Sequence, residues 1–432
     1  MEQKSKLKIS YDKDLNEIPP NEYAATKYRI TPFSSSDIIS SSICKYELIT
    51  NEEDRKVYHL RFSTDNTCFN YQPGYTIGIL PSNCENLVEK ILVRLGLEHV
   101  ADKCYHVCVE QINAKKTLPK HIPICGTLRN VLLHNVDLNS VPKKLFLRSL
   151  INYTEDENER DKISYLCSPK GSTEYLSLIS NHSKRSVLAL LETFSSCKPP
   201  IEILLEYLPP LLPRPYSICS SPLNNDYLSI TFNVDKFSDG SKGLCVSWLE
   251  KCIRKFENDK QCLVPMYLRS PSKFVLPQDD SVPIIMVATG TGISPFRGFL
   301  EHRHLQPEKS FGKSWLFYGC RDSGSNYLFK EDLKKFVASG ALTRLSECFS
   351  RESGTKEYVQ DVIEKYTDEL GYWILQDEAV VYLCGEFSKV LPAVKKAILQ
   401  VFMSYRHLQE DDAKLLMKKM EDEGRYIVDS WN

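Results

Sequence analysis

The stretch SVPIIMVATGTGISPFRGFLEHR, residues 281–303, decides the fold of the C-terminal third of the chain. It begins as a short apolar run of the kind that fills a strand buried on both faces. Gly290 and Gly292 then turn the chain, and Pro295 falls in the first turn of the helix that follows, where a missing N–H is harmless. The same progression from strand to helix recurs at SWLFYGCRD (314–322), LTRLSECFSRE (342–352) and AVVYLCGE (379–386). Strands alternating with helices predict a parallel sheet covered on both faces. Ligands then bind beyond the carboxyl ends of its strands. Residues 277–432 are read as this α/β unit.

Upstream the periodicity differs. In KVYHLRF (56–62), Tyr58, Leu60 and Phe62 alternate with His59 and Arg61, the period of a half-buried strand. YQPGYTIGILPSN (71–83) adds a Pro-Gly turn and a second apolar run, and β patterns return at RPYSICSSP (214–222) and YLSITFNVD (227–235). Between them, ENLVEKILVRLGL (85–97), KKLFLRSLINY (143–153) and SVLALLETF (186–194) space their apolar residues at helical intervals. The fold predicted for 46–276 is therefore an antiparallel β-barrel interrupted at about 86–205 by a helical insertion. Residues 1–45 are polar, with Pro19–Pro20 and two serine triplets, and are read as a flexible linker.

Charge and cysteine content narrow the function. Fifty-five Lys and Arg against 56 Asp and Glu leave a net charge of −1, so no overall basic field recruits nucleic acid or anionic lipid. No apolar run approaches the roughly 18–20 residues of a membrane span, and MEQKSKLKISYDKD lacks the apolar core of a signal peptide. Fifteen cysteines, an odd number without a C-x-x-C pair, suit reduced thiols better than disulfides or a zinc site. The expectation is a soluble, cytoplasmic, metal-free protein with no nucleic-acid or membrane partner. His302 and His304 read as a helix surface rather than as metal ligands.

Several motifs fall where chemistry is expected. Gly290, Thr291 and Gly292 let backbone N–H groups approach a phosphate, although alone they make an equally good structural turn. Ser350 and Arg351, followed by Lys356, Tyr358, Val359 and Gln360, place two cations and two hydroxyls just past a strand. That set suits a dianionic phosphate, with Tyr358 available to stack on a purine; the alternative is a solvated loop. Arg214, Pro215, Tyr216 and Ser217 combine a fixed backbone with a cation, a flat ring and a hydroxyl. Gly243, Leu244, Cys245 and Val246 open an apolar helix whose N-terminus suits a diphosphate. Cys384 ends the strand VVYL, and the chain finishes Asp429-Ser430-Trp431-Asn432.

In this order, RPYS, KGLC, GTG, SRxxxxKxYVQ, YLCGE and a terminal DxW closely resemble the FAD/NADPH reductase half of the diflavin reductases, from about residue 46 to 432. The middle segments LPKHIPICGTLRNVLL, VPKKLFLRSLINYT and SSCKPPIEILLEYLP, with WLFYGCRD further on, are most similar to the methionine synthase reductase branch. The resemblance implies a Rossmann-like NADP-binding sheet after the barrel. It also implies that Arg214, Pro215, Tyr216 and Ser217 bind FAD, with Gly243–Val246 on its diphosphate. Trp431 would stack on the opposite flavin face and yield to nicotinamide. Ser217, Cys384, Asp429 and Trp431 match the set that supports hydride transfer. Ser350, Arg351, Lys356, Tyr358, Val359 and Gln360 would hold the 2′-phosphoadenosine of NADPH, with Arg55 and Gly290–Gly292 near its phosphates.

The sequence departs from the family pattern at Tyr75, Val246, Glu386 and Ala393. No flavodoxin-like FMN segment is read ahead of the reductase half in these residues, so the expectation is either a truncated form or an FMN protein acting in trans. The resemblance makes an FMN-binding domain or protein the expected partner, with cobalamin-dependent methionine synthase beyond it. The rivals are a reductase for another one-electron acceptor and a catalytically impaired cofactor-binding interaction module.

Overall fold

The computed structural model describes residues 5, 7–11, 28–50, 55–64, 69–109, 118–181, 186–270, 273–352, 356–386, 388 and 390–431, with the backbone alone for Val109 and Trp431. Its strands, in chain order, are β1 (Leu7–Ser10), β2 (Ile39–Leu48), β3 (Lys56–Ser63), β4 (Thr76–Ile79), β5 (Cys104–Val109), β6 (Cys125–Thr127) and β7 (Arg214–Ser217). They continue with β8 (Tyr227–Val234), β9 (Leu263–Leu268), β10 (Ile284–Thr289), β11 (Ser314–Cys320), β12 (Arg344–Phe349), β13 (Val380–Glu386) and β14 (Tyr426–Trp431). The chain divides into two units, Met1–Pro32 with Leu80–Arg214 and Lys236–Cys252, and Phe33–Ile79 with Pro215–Asp235 and Ile253–Asn432.

The first unit is mostly helical, and one core runs through it from Leu7 to Leu208. The helix Glu85–Leu95 buries Val88, Ile91 and Leu92, the stripe its sequence spacing foretells. Two expectations are corrected here. The insertion is not wholly helical, because β1, β5 and β6 form a three-stranded antiparallel sheet. Tyr105 and Val107 enter the core while Cys104, His106 and Cys108 face outward, a period-two pattern legible in CYHVCV. Nor is the stretch before residue 46 all linker, since it contains β1 and most of β2. Ser40, Ser41 and Ser42 pair with Pro265, Val264 and Leu263 of β9, respectively, and Ser41 Oγ donates to the Ser63 carbonyl at 2.8 Å.

In the second unit, β7-β4-β9-β2-β3-β8 form a six-stranded sheet. The bridge between Ile218 and Ile230 and the Cys219 N–H to the Ser229 carbonyl (2.9 Å) join its two edges, so the sheet closes on itself as a barrel. The five remaining strands run parallel in the order β12-β11-β10-β13-β14. Alternate residues serve its two faces. Ile285, Val287, Trp315, Phe317, Val381 and Leu383 point into one core, while Ile284, Met286, Leu316, Tyr318, Tyr382 and Cys384 point into the other. Burial on both faces explains the uninterrupted apolar runs.

A single guanidinium organises part of the first unit. Arg94, in the last turn of Glu85–Leu95, donates to the carbonyls of Leu191 (3.0 Å), Ser195 (2.7 Å) and Cys197 (3.1 Å), which the helix Val187–Thr193 and its exit leave without intrahelical partners. Positive charge is favoured at a helix C-terminus. Arg94→Ala is predicted to destabilise this unit by about 2–3 kcal/mol. Hydrogen exchange at the Val187–Thr193 amides should quicken accordingly, and unchanged protection there would contradict the assignment.

Candidate functional site

Strand order in the parallel sheet reverses at β10: β11 and β12 lie on one side of it and β13 and β14 on the other. The crevice beyond the carboxyl ends of β10 and β13 is thus the switch point where ligands bind in such sheets. Ala288, Cys384 and Asp429 lie in register across β10, β13 and β14 at this edge. The segment after β10 supplies Gly290, Thr291 and Gly292 in a short 3₁₀ turn that runs into the helix Ser294–His304.

Gly290 has φ +52°, the left-handed region. A Cβ there would lie 3.6 Å from Arg55 Nη2, so the guanidinium of Arg55 stands over the turn. A cation above an open glycine turn fits a phosphate group. Arg55 and the GTG segment are thus neighbours in the fold.

At the same edge, Ser217 Oγ donates to Asp429 Oδ2 at 3.1 Å, bringing together residues 212 positions apart. Cys384 is 1% exposed. Burial, reinforced by the charge of Asp429, pushes its thiol well above the ordinary range, so it is a neutral thiol at physiological pH. Burial also raises the Asp429 carboxyl, partly offset by the Ser217 hydrogen bond and the charge of Arg269. Three of the four residues expected to support hydride transfer thus share one place. The fourth, Trp431, has its backbone opposite Glu386 on β13, and its side chain lies outside the described residues.

The expected phosphate receptor lies past β12. Ser350 N–H donates to the Cys320 carbonyl (3.0 Å) and Arg351 N–H to the Arg321 carbonyl (2.8 Å), which anchors the backbone and leaves the Arg351 side chain exposed. Lys356 is exposed and Tyr358 is 45% exposed, with Tyr358 N–H donating to Asp361 Oδ2 (2.8 Å) at the start of the helix Val359–Lys365. Gln360 is half-buried. The Val359 side chain is 3% exposed and packs in the core, so its backbone is the part open to a ligand.

The residues expected at FAD are distributed as follows. Tyr216 is half-buried, its ring set edge-on to Phe232 at 6.5 Å. Arg214 and Pro215 are exposed, and Arg214 Nη1 donates to the Leu212 carbonyl at 3.1 Å. Gly243 precedes the helix Leu244–Asp259, with nothing within 4 Å of where its Cβ would sit, so its backbone can be approached. Cys245 is buried, and Leu244 and Val246 are half-buried. Within the first unit the exposed Arg214 cation and the open helix N-terminus at Gly243 each suit a phosphate, and within the second the anchored ring of Tyr216 suits a flat ligand. No group of three or more His, Cys, Asp or Glu among the described residues is placed to hold a metal ion. His302 instead pairs through Nδ1 with Ser221 Oγ at 3.0 Å.

Sequence reasoning missed two features. The end of the chain is a sheet strand, β14, and this is what places Asp429 beside Cys384. Arg297 and Glu301 are buried in the helix after the GTG turn, at 4% and 7% exposure. Opposite charges spaced i, i+4 inside PFRGFLEHR were the available signal.

Residues 31–248, half of the chain, match the FAD binding domain, and residues 286–396 match the oxidoreductase NAD-binding domain. The chain belongs to the FAD-binding domain family and couples that domain to a nicotinamide-nucleotide-binding one. It is 34% identical over 417 residues to methionine synthase reductase of Homo sapiens and 35% identical over 421 to that of Rattus norvegicus, in each case over 89% of this chain. It is 30% identical over 410 residues to NADPH–cytochrome P450 reductase of Cavia porcellus, over 93% of this chain. The chain spans 60% of the length of each of these relatives.

The buried, neutral state of Cys384 has a direct consequence. In the native protein at pH 7, a maleimide should modify the exposed Cys84 and Cys108 while sparing Cys384, as read by peptide mass spectrometry. Labelling of Cys384 at the rate of Cys108 would contradict its placement.

Proposed function

We propose that this chain is an NADPH-dependent FAD reductase. Residues 46–276 carry the flavin, with the insertion at about 86–205, and residues 277–432 carry the coenzyme. The observation that carries the reading is the 3.1 Å contact of Ser217 with Asp429, in register with Cys384 at the carboxyl edge of the parallel sheet. Bound FAD would accept a hydride and release its two electrons singly.

The residues divide the work by charge. A hydride leaving a reduced nicotinamide leaves positive charge on the ring. The Asp429 carboxylate stabilises that charge from a partly buried position where electrostatics are strong. The Ser217 hydroxyl orients this carboxylate, and Cys384 packs beside it without adding a second negative charge. Arg351 and Lys356, with the hydroxyls of Ser350 and Tyr358, hold the 2′-phosphate, while Arg55 and Gly290–Gly292 hold the bridging phosphates. Tyr216 and Trp431 cover the two faces of the flavin, Arg214 and Gly243–Val246 its diphosphate.

The acceptor is an FMN-binding flavodoxin-like domain or protein, and the process served is the reductive reactivation of cobalamin-dependent methionine synthase, in the cytoplasm. Similarity to NADPH–cytochrome P450 reductase supports a second reading, in which another one-electron acceptor takes the electrons. Methionine synthase reactivation, with and without an added FMN domain, separates the two. No helix among the described residues is long and apolar enough to cross a membrane.

The test of the reductase itself is NADPH-driven ferricyanide reduction by the purified, FAD-loaded chain; inactive protein with bound FAD would refute it. Arg351→Ala is predicted to weaken NADPH about tenfold or more through loss of a charge-assisted contact, and to leave NADH nearly unaffected. Equal losses for both coenzymes would place the 2′-phosphate elsewhere.

Asp429 sets the expected pH dependence. Because burial raises its pKa, the carboxylate is lost on acidification at a higher pH than for an ordinary Asp, near 3.9. Flavin reduction should therefore fall on the acid side with an inflection above that value. Asp429→Asn should be slow and lack that inflection. An acid limb unchanged in the variant would assign it to another group.

A further inference from the structure

The helix Ser294–His304 is buried from Ser294 to Glu301, yet it carries two charges inside that stretch. Arg297 Nη1 donates to the Cys219 carbonyl at 2.6 Å, Nε to Asp332 Oδ2 at 2.8 Å and Nη2 to Glu301 Oε1 at 3.2 Å. Glu301 in turn accepts from the Ser221 N–H through Oε2 at 2.6 Å and from the Tyr227 hydroxyl through Oε1 at 3.3 Å. Burial works against the Arg297 charge, but Glu301, Cys219 and Asp332 outweigh it. Every hydrogen-bond partner outside the helix except Asp332 comes from the barrel or the segment that follows β7, while the Arg297 guanidinium also lies over the Phe329 ring, 5.2 Å from its centre. Cys219 and Ser221 follow Ser217 by two and four residues.

Gly298 brings the two backbones together. A Cβ at this position would lie 3.2 Å from the Ile218 carbonyl oxygen and 3.5 Å from that of Ser220. The helix that starts at the GTG turn thus lies against the backbone immediately after Ser217 and is fixed there by directional bonds. Apolar packing of equal volume would give comparable stability, since a buried ion cluster is weak evidence for stability in itself. What the charges add is directional bonds between the helix and that backbone.

We infer that Arg297 is a positioning residue for hydride delivery: by holding Cys219 and Glu301 it fixes the Ser217–Ser221 segment on the helix after the GTG turn, and so seats the Ser217 hydroxyl on Asp429. Ser217 is on the barrel and Asp429 on the parallel sheet, so their 3.1 Å contact depends on how these two sheets are held. Arg297 is well placed to hold them because it bonds a carbonyl two residues from Ser217 and lies five residues beyond Gly292. This inference rests on the reading of Ser217, Cys384 and Asp429 as the hydride site.

Two variants of the FAD-loaded chain test it. Arg297→Met removes the charge at similar length. Gly298→Ala favours the helix by propensity but forces the Ile218 carbonyl aside by a few tenths of an ångström, so it remains informative if Arg297→Met fails to fold. In both, the KM for NADPH should stay within about twofold while flavin reduction slows by about tenfold or more, as misplacement of reacting groups by less than 1 Å allows. Arg297→Lys should recover part of the rate. Independently of activity, crystal structures of the variants should place Ser217 Oγ beyond hydrogen-bonding distance of Asp429, and the Ser221 amide should exchange faster with solvent.

A reduction rate unchanged in Gly298→Ala despite a lengthened Ser217–Asp429 separation would overturn the inference. Loss of rate and of NADPH affinity in proportion to lost thermal stability would do the same. Ser217→Ala and Asp429→Asn serve as the reference. If these leave flavin reduction unchanged, the hydride-site reading fails. If they slow it and the Arg297 and Gly298 variants do not, only the positioning role fails.

Discussion

A cation buried between two sheets is the constraint on which the second unit depends. Arg297 sits at 4% exposure with a carbonyl of the barrel, a carboxylate of its own helix and a carboxylate of the helix Lys330–Ala338 all within hydrogen-bonding distance. Removing any one partner would leave charge in a poorly solvated place, so the arrangement tolerates little displacement. The barrel closes through Ile218 and Ile230 in the same neighbourhood. Closure of one sheet and anchorage of the other are therefore fixed at a single stretch, Ser217 to Ser221. That stretch begins with the hydroxyl that reaches Asp429.

The parallel sheet supplies the complementary half. Its strand order opens a crevice at β10 and β13, and the left-handed turn at Gly290 has the Arg55 guanidinium above it. Beyond it, the neutral Cys384 and the carboxyl of Asp429 stand side by side in register. The difference between them is electrostatic. Both groups are pushed upward by burial, but the thiol thereby stays uncharged near neutral pH, whereas a carboxyl starts so much lower that it can still be ionised. One negative charge at this edge is thus attainable without a second.

Much of this was legible in the residues. The apolar run of β10 followed by GTG and Pro295 specified strand, turn and helix, because both faces of a central strand must be apolar and the turn must be free of side chains. Ser217, Cys384 and Asp429 form a set only through the resemblance to the diflavin reductases, since nothing in their spacing brings them together. What stayed hidden depends on contacts far apart in the chain. YIVDSW reads as a tail until β13 is present to pair with it, and the serines of β2 read as linker because an edge pairing needs no apolar pattern. The sheet of β1, β5 and β6 is short enough that helical neighbours mask its alternation. Arg297 and Glu301 look like an exposed i, i+4 pair unless the helix is known to be buried on all sides.

The central claim is that the Ser217–Asp429–Cys384 edge is where a reduced nicotinamide hands hydride to FAD. Its most direct test is an anaerobic single-turnover measurement of flavin bleaching in the FAD-loaded chain at saturating coenzyme, comparing NADPH with NADPH deuterated at the transferred position of C4. A hydride step controlled at this edge predicts slower bleaching with the deuterated coenzyme, and a further slowing of both forms in Ser217→Ala. Bleaching at the same rate with either coenzyme and in Ser217→Ala, or no bleaching of bound FAD at all, would contradict it.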